Sequence, residues 1–333
     1  DQVEVPGWSH HRLRSEPVTV TTQSTDRPGV IHARPVRHPG RWLGVAIIVI
    51  VVAMLISSLV TNPLWDFGYT FQIMQQKSVI QGLWLGTLLG TVGSMIIGVV
   101  LGVILAIMRL SDNPVLRGAA FVYIWFFRSM PRYVLLAVLA TGIGYLYNTL
   151  DVGVPFGQQL AGAVGLESDL TFFTFRWDDF SSTVWIGILA LGLSEAAYMA
   201  EIARAGILSV DKGQAEAAQA LGMSSGQAMR RIILPQAMRV IVPPTGNETI
   251  AMVKDTSLFI AANIITELFY QTTLFGSRSF KIIPGLMAAT LWYLIVCSVL
   301  MVGQSYLERY FGRGYGAVPK KTKVKIMKIE ADH

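Results

Sequence analysis

An all-α integral membrane protein with six transmembrane helices is the fold class this sequence predicts, and three observations predict it. Of its 333 residues 52% are apolar and only 14% charged, with a mean hydropathy of +0.49; soluble proteins carry about a quarter charged residues. The apolar residues gather in blocks long enough to cross a bilayer, for which about 20 residues of helix suffice. Lys and Arg are divided unevenly between the intervening segments, the asymmetry that orients membrane helices. The net charge of +6 therefore belongs to topology, and no basic patch with interleaved aromatics points to nucleic acid.

Taken in order, residues 1–41 bear Pro, Thr and Arg without apolar period and read as a disordered tail. Residues 42–60 form a first span; the long preceding tail, the span-like length and the lack of a small-residue cleavage pattern argue against a secretory signal. Residues 61–80, with Trp65, Phe67, Tyr69 and Phe71, fit an interfacial segment. The second span, 81–108, pairs Gly86 with Gly90 and Gly98 with Gly102, spacings that let another helix approach closely. A polar turn at 111–118 leads to a third span, 119–147, in which Pro131 removes a backbone donor and predicts a kink. The polar connector 148–182 precedes a fourth span at 183–202, a polar loop at 211–240, a fifth span at 244–268, a short loop and a sixth span at 284–307. The tails, the turn and the polar loop, with Arg109 and Arg204 at the adjoining span ends, hold 20 Lys and Arg, and the segments on the other side only Lys77, Arg176, Arg278 and Lys281. Both termini and the polar loop are thus expected in the cytoplasm. No internal repeat is evident.

The loop carries the most specific pattern in the chain. Glu216-Ala217-Ala218 is followed at fixed spacing by Gly222 and then by Ile232, Leu234 and Pro235. Good helix formers fill 214–221, the alanines allow close approach to a partner, and Gly222 breaks the run. A second helical stretch bears Arg230 and Arg231, and Pro235 is expected to disrupt it before the chain re-enters the membrane. This resembles the EAA loop of the membrane subunits of bacterial ABC importers. Phe126-Phe127-Arg128-Ser129-Met130-Pro131, the run 196–207, Lys254-Asp255-Thr256-Ser257-Leu258 and Leu307-Glu308-Arg309 are similar to blocks of the polar amino-acid importers of that family.

The resemblance covers about 81–313. It implies a five-helix type I importer core at 81–310 plus an extra N-terminal span and interfacial segment at 42–80, with a basic cytoplasmic tail at 311–333. It further implies that Glu216, Ala217, Ala218, Gly222, Arg230, Leu234 and Pro235 couple the chain to a cytoplasmic ABC ATPase homodimer. An extracytoplasmic solute-binding protein, a second permease subunit and the bilayer of the bacterial cytoplasmic membrane complete the implied partners. Met130 and Arg132 depart from the family motif, and the 148–182 connector is long, which leaves the carried amino acid open.

Without the family, charges inside the bilayer are the informative residues, because each costs about 2.5–3.5 kcal/mol or more and marks a pathway or a partner. Arg132 and Glu195 fall near the middles of the third and fourth spans. Two readings stay open: they line a passage and receive the carboxylate and ammonium of an amino acid, or they neutralise each other in the bundle. Pro131 either exposes carbonyls to a substrate or merely bends its span. Lys254 and Asp255, about 100° apart on a helix, are gate residues or interhelix contacts, as is Thr256. Glu201, roughly 9 Å nearer the cytoplasm than Glu195, together with Arg128 and Tyr198, completes the substrate-path candidates.

The single Cys297 permits no intrachain disulfide, and all five His lie in the tails, so no metal site is indicated. No phosphate-binding GxxxxGK[ST] occurs, so ATP and Mg are expected on partner subunits and no catalytic site in this chain. The alternative is an ion-coupled secondary transporter of small polar solutes, which would show intramembrane acidic sites and broken helices without a docking loop.

Overall fold

The computed structural model describes residues 39–147, 149–165 and 171–312, so most of both expected tails lies outside the described residues. The chain divides into two compact units, the first ending at Ser58. That unit is built on α1 (Pro39–Thr61), whose apolar residues run around every face, as a helix facing lipid requires.

The second unit opens with a short 3₁₀ turn, Pro63–Trp65, and α2 (Phe67–Met74). Thr70, Ile73 and Met74 of α2 are buried, so part of the expected interfacial segment is packed into the core. Asp66 accepts from the Tyr69 backbone N–H at 3.0 Å and from Lys281 Nζ at 2.6 Å. The Lys281 hydrogen bond, followed by that of Tyr69, holds the Asp66 carboxyl below the usual carboxylate range. The tie therefore persists at neutral pH and is lost only as acid titrates Asp66 through its lowered value.

α3 (Lys77–Leu110) is a continuous apolar helix with a widened π turn at Gly82–Leu88, and α8 (Val184–Leu208) lies against it as the most buried helix of the fold. Glycine sets their separation. A Cβ on Gly102 would stand 2.6 Å from Met199 Cβ and 3.0 Å from the Ala196 carbonyl, and one on Gly98 would stand 2.6 Å from Glu195 Cγ. The other expected pair packs differently: Gly86 meets the backbone at Glu267 and Gly90 the ring of Phe259, neither of which belongs to a long helix.

The third expected span is two helices. Asn113 caps α4 (Pro114–Ser129) by accepting from the Val115 N–H, which starts the helix earlier than the expected turn allows. At the other end Met130 is extended ahead of Pro131, as the steric demand of the proline ring dictates. α5 (Arg132–Leu146) then leaves at 101° to α4, a break rather than a kink.

The connector departs from an all-α fold. β1 (Thr149–Gly153) pairs antiparallel with β2 (Thr171–Arg176), with α6 (Gly157–Val164) between them in sequence and α7 (Asp178–Ser181) after them. Trp177 anchors this insertion: its Nε1 donates to the Ala140 carbonyl of α5 at 3.3 Å, and its ring stacks edge-on with Phe175 and Phe180.

After α8 come α9 (Lys212–Ala220), α10 (Ser225–Ala228), a π turn at Met229–Ile233 and α11 (Leu234–Asp255). α11 contains Pro243 and Pro244 and is too polar to qualify as an apolar span, and the chain beyond it is a 3₁₀ turn, Thr256–Ala262. A fifth membrane helix at 244–268 is thus not formed as expected. The loop expected before the last span is α12 (Leu268–Arg278), capped by Glu267, and α13 (Ile282–Phe311) ends the described chain. Among the described residues four helices are long and apolar enough to cross a membrane, or five if the bent α4–α5 pair counts as one.

The α3–α8 contact yields a prediction. Gly102→Leu should lower stability by about 1–3 kcal/mol through overpacking, whereas Gly118→Ala, where a Cβ meets nothing within 4 Å, should leave it unchanged or slightly raised. Thermal unfolding in detergent reads both, and an unaltered melting temperature for Gly102→Leu would refute the packing assignment.

Candidate functional site

The break at Pro131 positions the first residue of α5. Arg132 directs its guanidinium inward, where Nη2 donates to Glu195 Oε2 of α8 at 2.8 Å and Nη1 to Asp255 Oδ2 at the end of α11. Glu195 is fully buried, while the side chains of Arg132 and Asp255 are 15% and 30% exposed. Tyr198, one turn beyond Glu195 on the same face of α8, holds its ring centroid 5.0 Å from the Arg132 guanidinium, a cation–π distance.

One guanidinium is not enough for the acid gathered there. Glu195 Oε1 is buried and, among the described residues, has no hydrogen-bond partner. Glu248, two turns before Asp255 on α11, acts on Glu195 as a like charge. Two carboxylates, Glu195 of α8 and Asp255 of α11, thus share one arginine, on elements that three separate stretches of sequence supply.

Not every expected path residue joins this node. Arg128 lies outside it, with its guanidinium 5.5 Å from the Tyr198 ring centroid, and Glu201 is engaged by Arg204 through Nε and Nη2 at 3.0 and 2.8 Å. Lys254 is exposed and bears on Cys297 of α13. Thr256 is buried and donates to the Val253 carbonyl at 2.7 Å, a local helix-end bond. Arg132 and Glu195, expected either to line a passage or to neutralise each other, are paired here, and Asp255, expected as a gate residue or an interhelix contact, joins them.

The polar loop is a capped knob. Asp211 begins α9 by accepting from the Gly213 N–H at 2.7 Å. At its end Gly222 takes φ +75, the Met223 N–H bonds the Ala218 carbonyl at 3.0 Å and the Gly222 N–H bonds that of Gln219 at 2.9 Å. That is a Schellman closure, which needs a left-handed residue at this position. Ala218 is buried, while Glu216, Ala217, Gly222 and Arg230 are exposed and Leu221 is 81% exposed at the tip.

Pro235 does not disrupt the second stretch. It occupies the second position of α11, and the preceding π turn at Met229–Ile233 accommodates its missing donor, so the chain stays helical from Ser225 to Asp255. Gln236 Nε2 donates to Gln214 Oε1 of α9 at 3.3 Å, which ties the knob to the foot of α11. Over its 22 residues α11 spans about 33 Å, with the knob at one end and Asp255 at the other.

Comparison with known proteins places this arrangement. The family described as binding-protein-dependent transport system inner membrane component matches residues 98–313. The arginine transport system permease protein ArgU of Corynebacterium glutamicum is 44% identical over 291 residues, covering 87% of this chain and 86% of that one. The probable glutamine ABC transporter permease protein GlnM of Bacillus subtilis is 33% identical over 211 residues, 63% of this chain and 82% of that protein. Among solved structures, an amino acid ABC transporter with histidines aligns over 70% of this chain and 94% of its own, at 28% identity and a TM-score of 0.55. With most of the chain matched, and with a polar knob rooted in a helix that ends on a buried charge node, this protein belongs to the inner membrane components of binding-protein-dependent transport systems, as the permease subunit of an ABC importer.

Proposed function

We propose that the chain translocates a polar amino acid, with a cationic one favoured, by alternating access driven through the knob. The observation that carries this reading is the unbroken helical path from the π turn through α11 to Asp255, which joins an exposed cytosolic surface to the Arg132 node. Closure of a separate ATPase dimer, which would bind ATP and Mg, pulls α9, and α11 carries the displacement to the node as a rigid element.

The node has the chemistry for an amino acid. Arg132 offers a bidentate fork to the α-carboxylate, and Glu195, with one oxygen unpartnered, accepts from the ammonium. The second carboxylate on Arg132, that of Asp255, supports a cationic side chain, in line with a relative named for arginine transport.

In this reading α11 crosses as a polar, sixth membrane segment lined by protein and water, with both ends of the chain in the cytoplasm of a bacterial cell. An extracytoplasmic binding protein delivers the solute, and a second permease copy or a similar chain completes the passage.

Two experiments test the proposal. Arg132→Leu should abolish uptake and cost about 3–5 kcal/mol of stability, because Glu195 is left buried without its counter-ion. The double change Arg132→Leu with Glu195→Leu should recover the stability but not the uptake; recovery of uptake would make the pair a structural one. At the knob, Glu216→Arg, at an exposed position, and Gly222→Arg, which forces a side chain into a left-handed backbone at about 1–2 kcal/mol, should each release the ATPase in copurification and stop uptake. Retention of both by both variants would contradict the coupling role.

A further inference from the structure

Next to the node, on the far side of Tyr198 along α8, lies a second site with no place in the transport scheme. It is a cavity of about 380 Å³ between the last turn of α3, α4 and α8, lined by Arg109, Arg128, Ser129, Tyr198, Glu201 and apolar groups including Trp125. Its two arginines are set in place by aromatic rings rather than by acids. Arg109 stands 4.9 Å from the Phe121 centroid and Arg128 5.5 Å from that of Tyr198. Among the described residues no carboxylate lies within ion-pair distance of either, and Arg109 Nε is buried with no hydrogen-bond partner. The one acid in the lining, Glu201, is paired with Arg204, whose Nε and Nη2 both donate to its Oε2. The cavity therefore holds two guanidiniums that are in no ion pair among the described residues, and an unused donor.

Its position fixes what can reach it. Arg109 closes the apolar run of α3, so the cavity opens at the depth where a bilayer's headgroups begin. The walls beside it are exposed and apolar, with Ile104 and Ile107 on α3 and Val122 and Trp125 on α4, the last at 60% exposure. A ligand with an anionic head and hydrocarbon below it matches both parts.

We propose that this cavity binds the phosphate of an anionic phospholipid, seated between the Arg109 and Arg128 guanidiniums with its acyl chains along α3 and α4. Two guanidinium forks in place of one point charge give a bidentate seat for phosphate oxygens. The site shares the Tyr198 ring with the Arg132 node but none of that node's ion pairs.

Native mass spectrometry of the full chain in detergent, offered phosphatidylglycerol or phosphatidylcholine, tests the proposal. The wild-type protein should retain phosphatidylglycerol over phosphatidylcholine by roughly tenfold or more, and the Arg109→Gln, Arg128→Gln double variant should lose that preference. Arg117→Gln, an equal loss of charge at an exposed position of α4 outside the cavity, should keep it. Unchanged retention by the double variant, or equal loss in Arg117→Gln, would overturn the site. Should the double variant not fold, the wild-type protein still decides: equal retention of the two lipids would show that no anionic lipid site exists there.

Discussion

The Arg132 guanidinium is the constraint on which the rest of the structure depends. It joins α5, α8 and α11 through Glu195 and Asp255, three helices that the chain supplies from distant segments. A charge pair of this burial is stable only while both members remain, and a well-packed apolar substitute would serve folding as well or better. The unpartnered oxygen of Glu195 leaves that node with an unfilled acceptor, which the proposed transport role assigns to the ammonium of the solute.

Two prolines with opposite effects make that node possible. Pro131 follows an extended Met130 and ends α4, so α5 begins at a sharp angle and delivers Arg132 to the interior. Pro235 stands at the second position of α11, and the π turn before it accommodates the missing donor and keeps the helix running. Pro131 stands between two helices after an extended residue, whereas Pro235 lies within a helical run that the π turn keeps continuous. Glycines do the corresponding work between helices: Gly98 and Gly102 bring α3 onto α8 closely enough for Glu195 to be buried.

Much of this was legible from residues alone. The apolar runs marking α1, α3, α8 and α13 are long and uniform, and the Glu216 to Pro235 spacing located the knob and its glycine closure. What escaped has physical causes. α12 reads as a loop because Phe, Tyr and Thr are weak helix formers, and the helix is held by Glu267, which accepts from the Phe269 N–H and from Thr87 on α3. The β1–β2 pair is short, and its support comes from the Trp177 contact with α5, which no local pattern encodes. α11 was shifted because its apolar content is diluted by Arg239, Glu248, Lys254 and Asp255, and a window tuned to hydrocarbon slides past such a helix into 256–268. The pairing of Arg132 with Glu195 could be anticipated as one of two outcomes; the third member, Asp255, required the fold.

The central claim is that α9 and α11 move as one body when nucleotide acts on the knob. Spin labels at Leu221 on the knob tip, Asn247 on α11 and Ile107 on α3, all exposed, measure it directly by pulsed dipolar spectroscopy of the reconstituted importer. With nucleotide trapped, the Leu221 to Asn247 distance should hold its resting value while the Asn247 to Ile107 distance changes. A knob that shifts relative to Asn247, with Asn247 fixed against Ile107, would contradict the account.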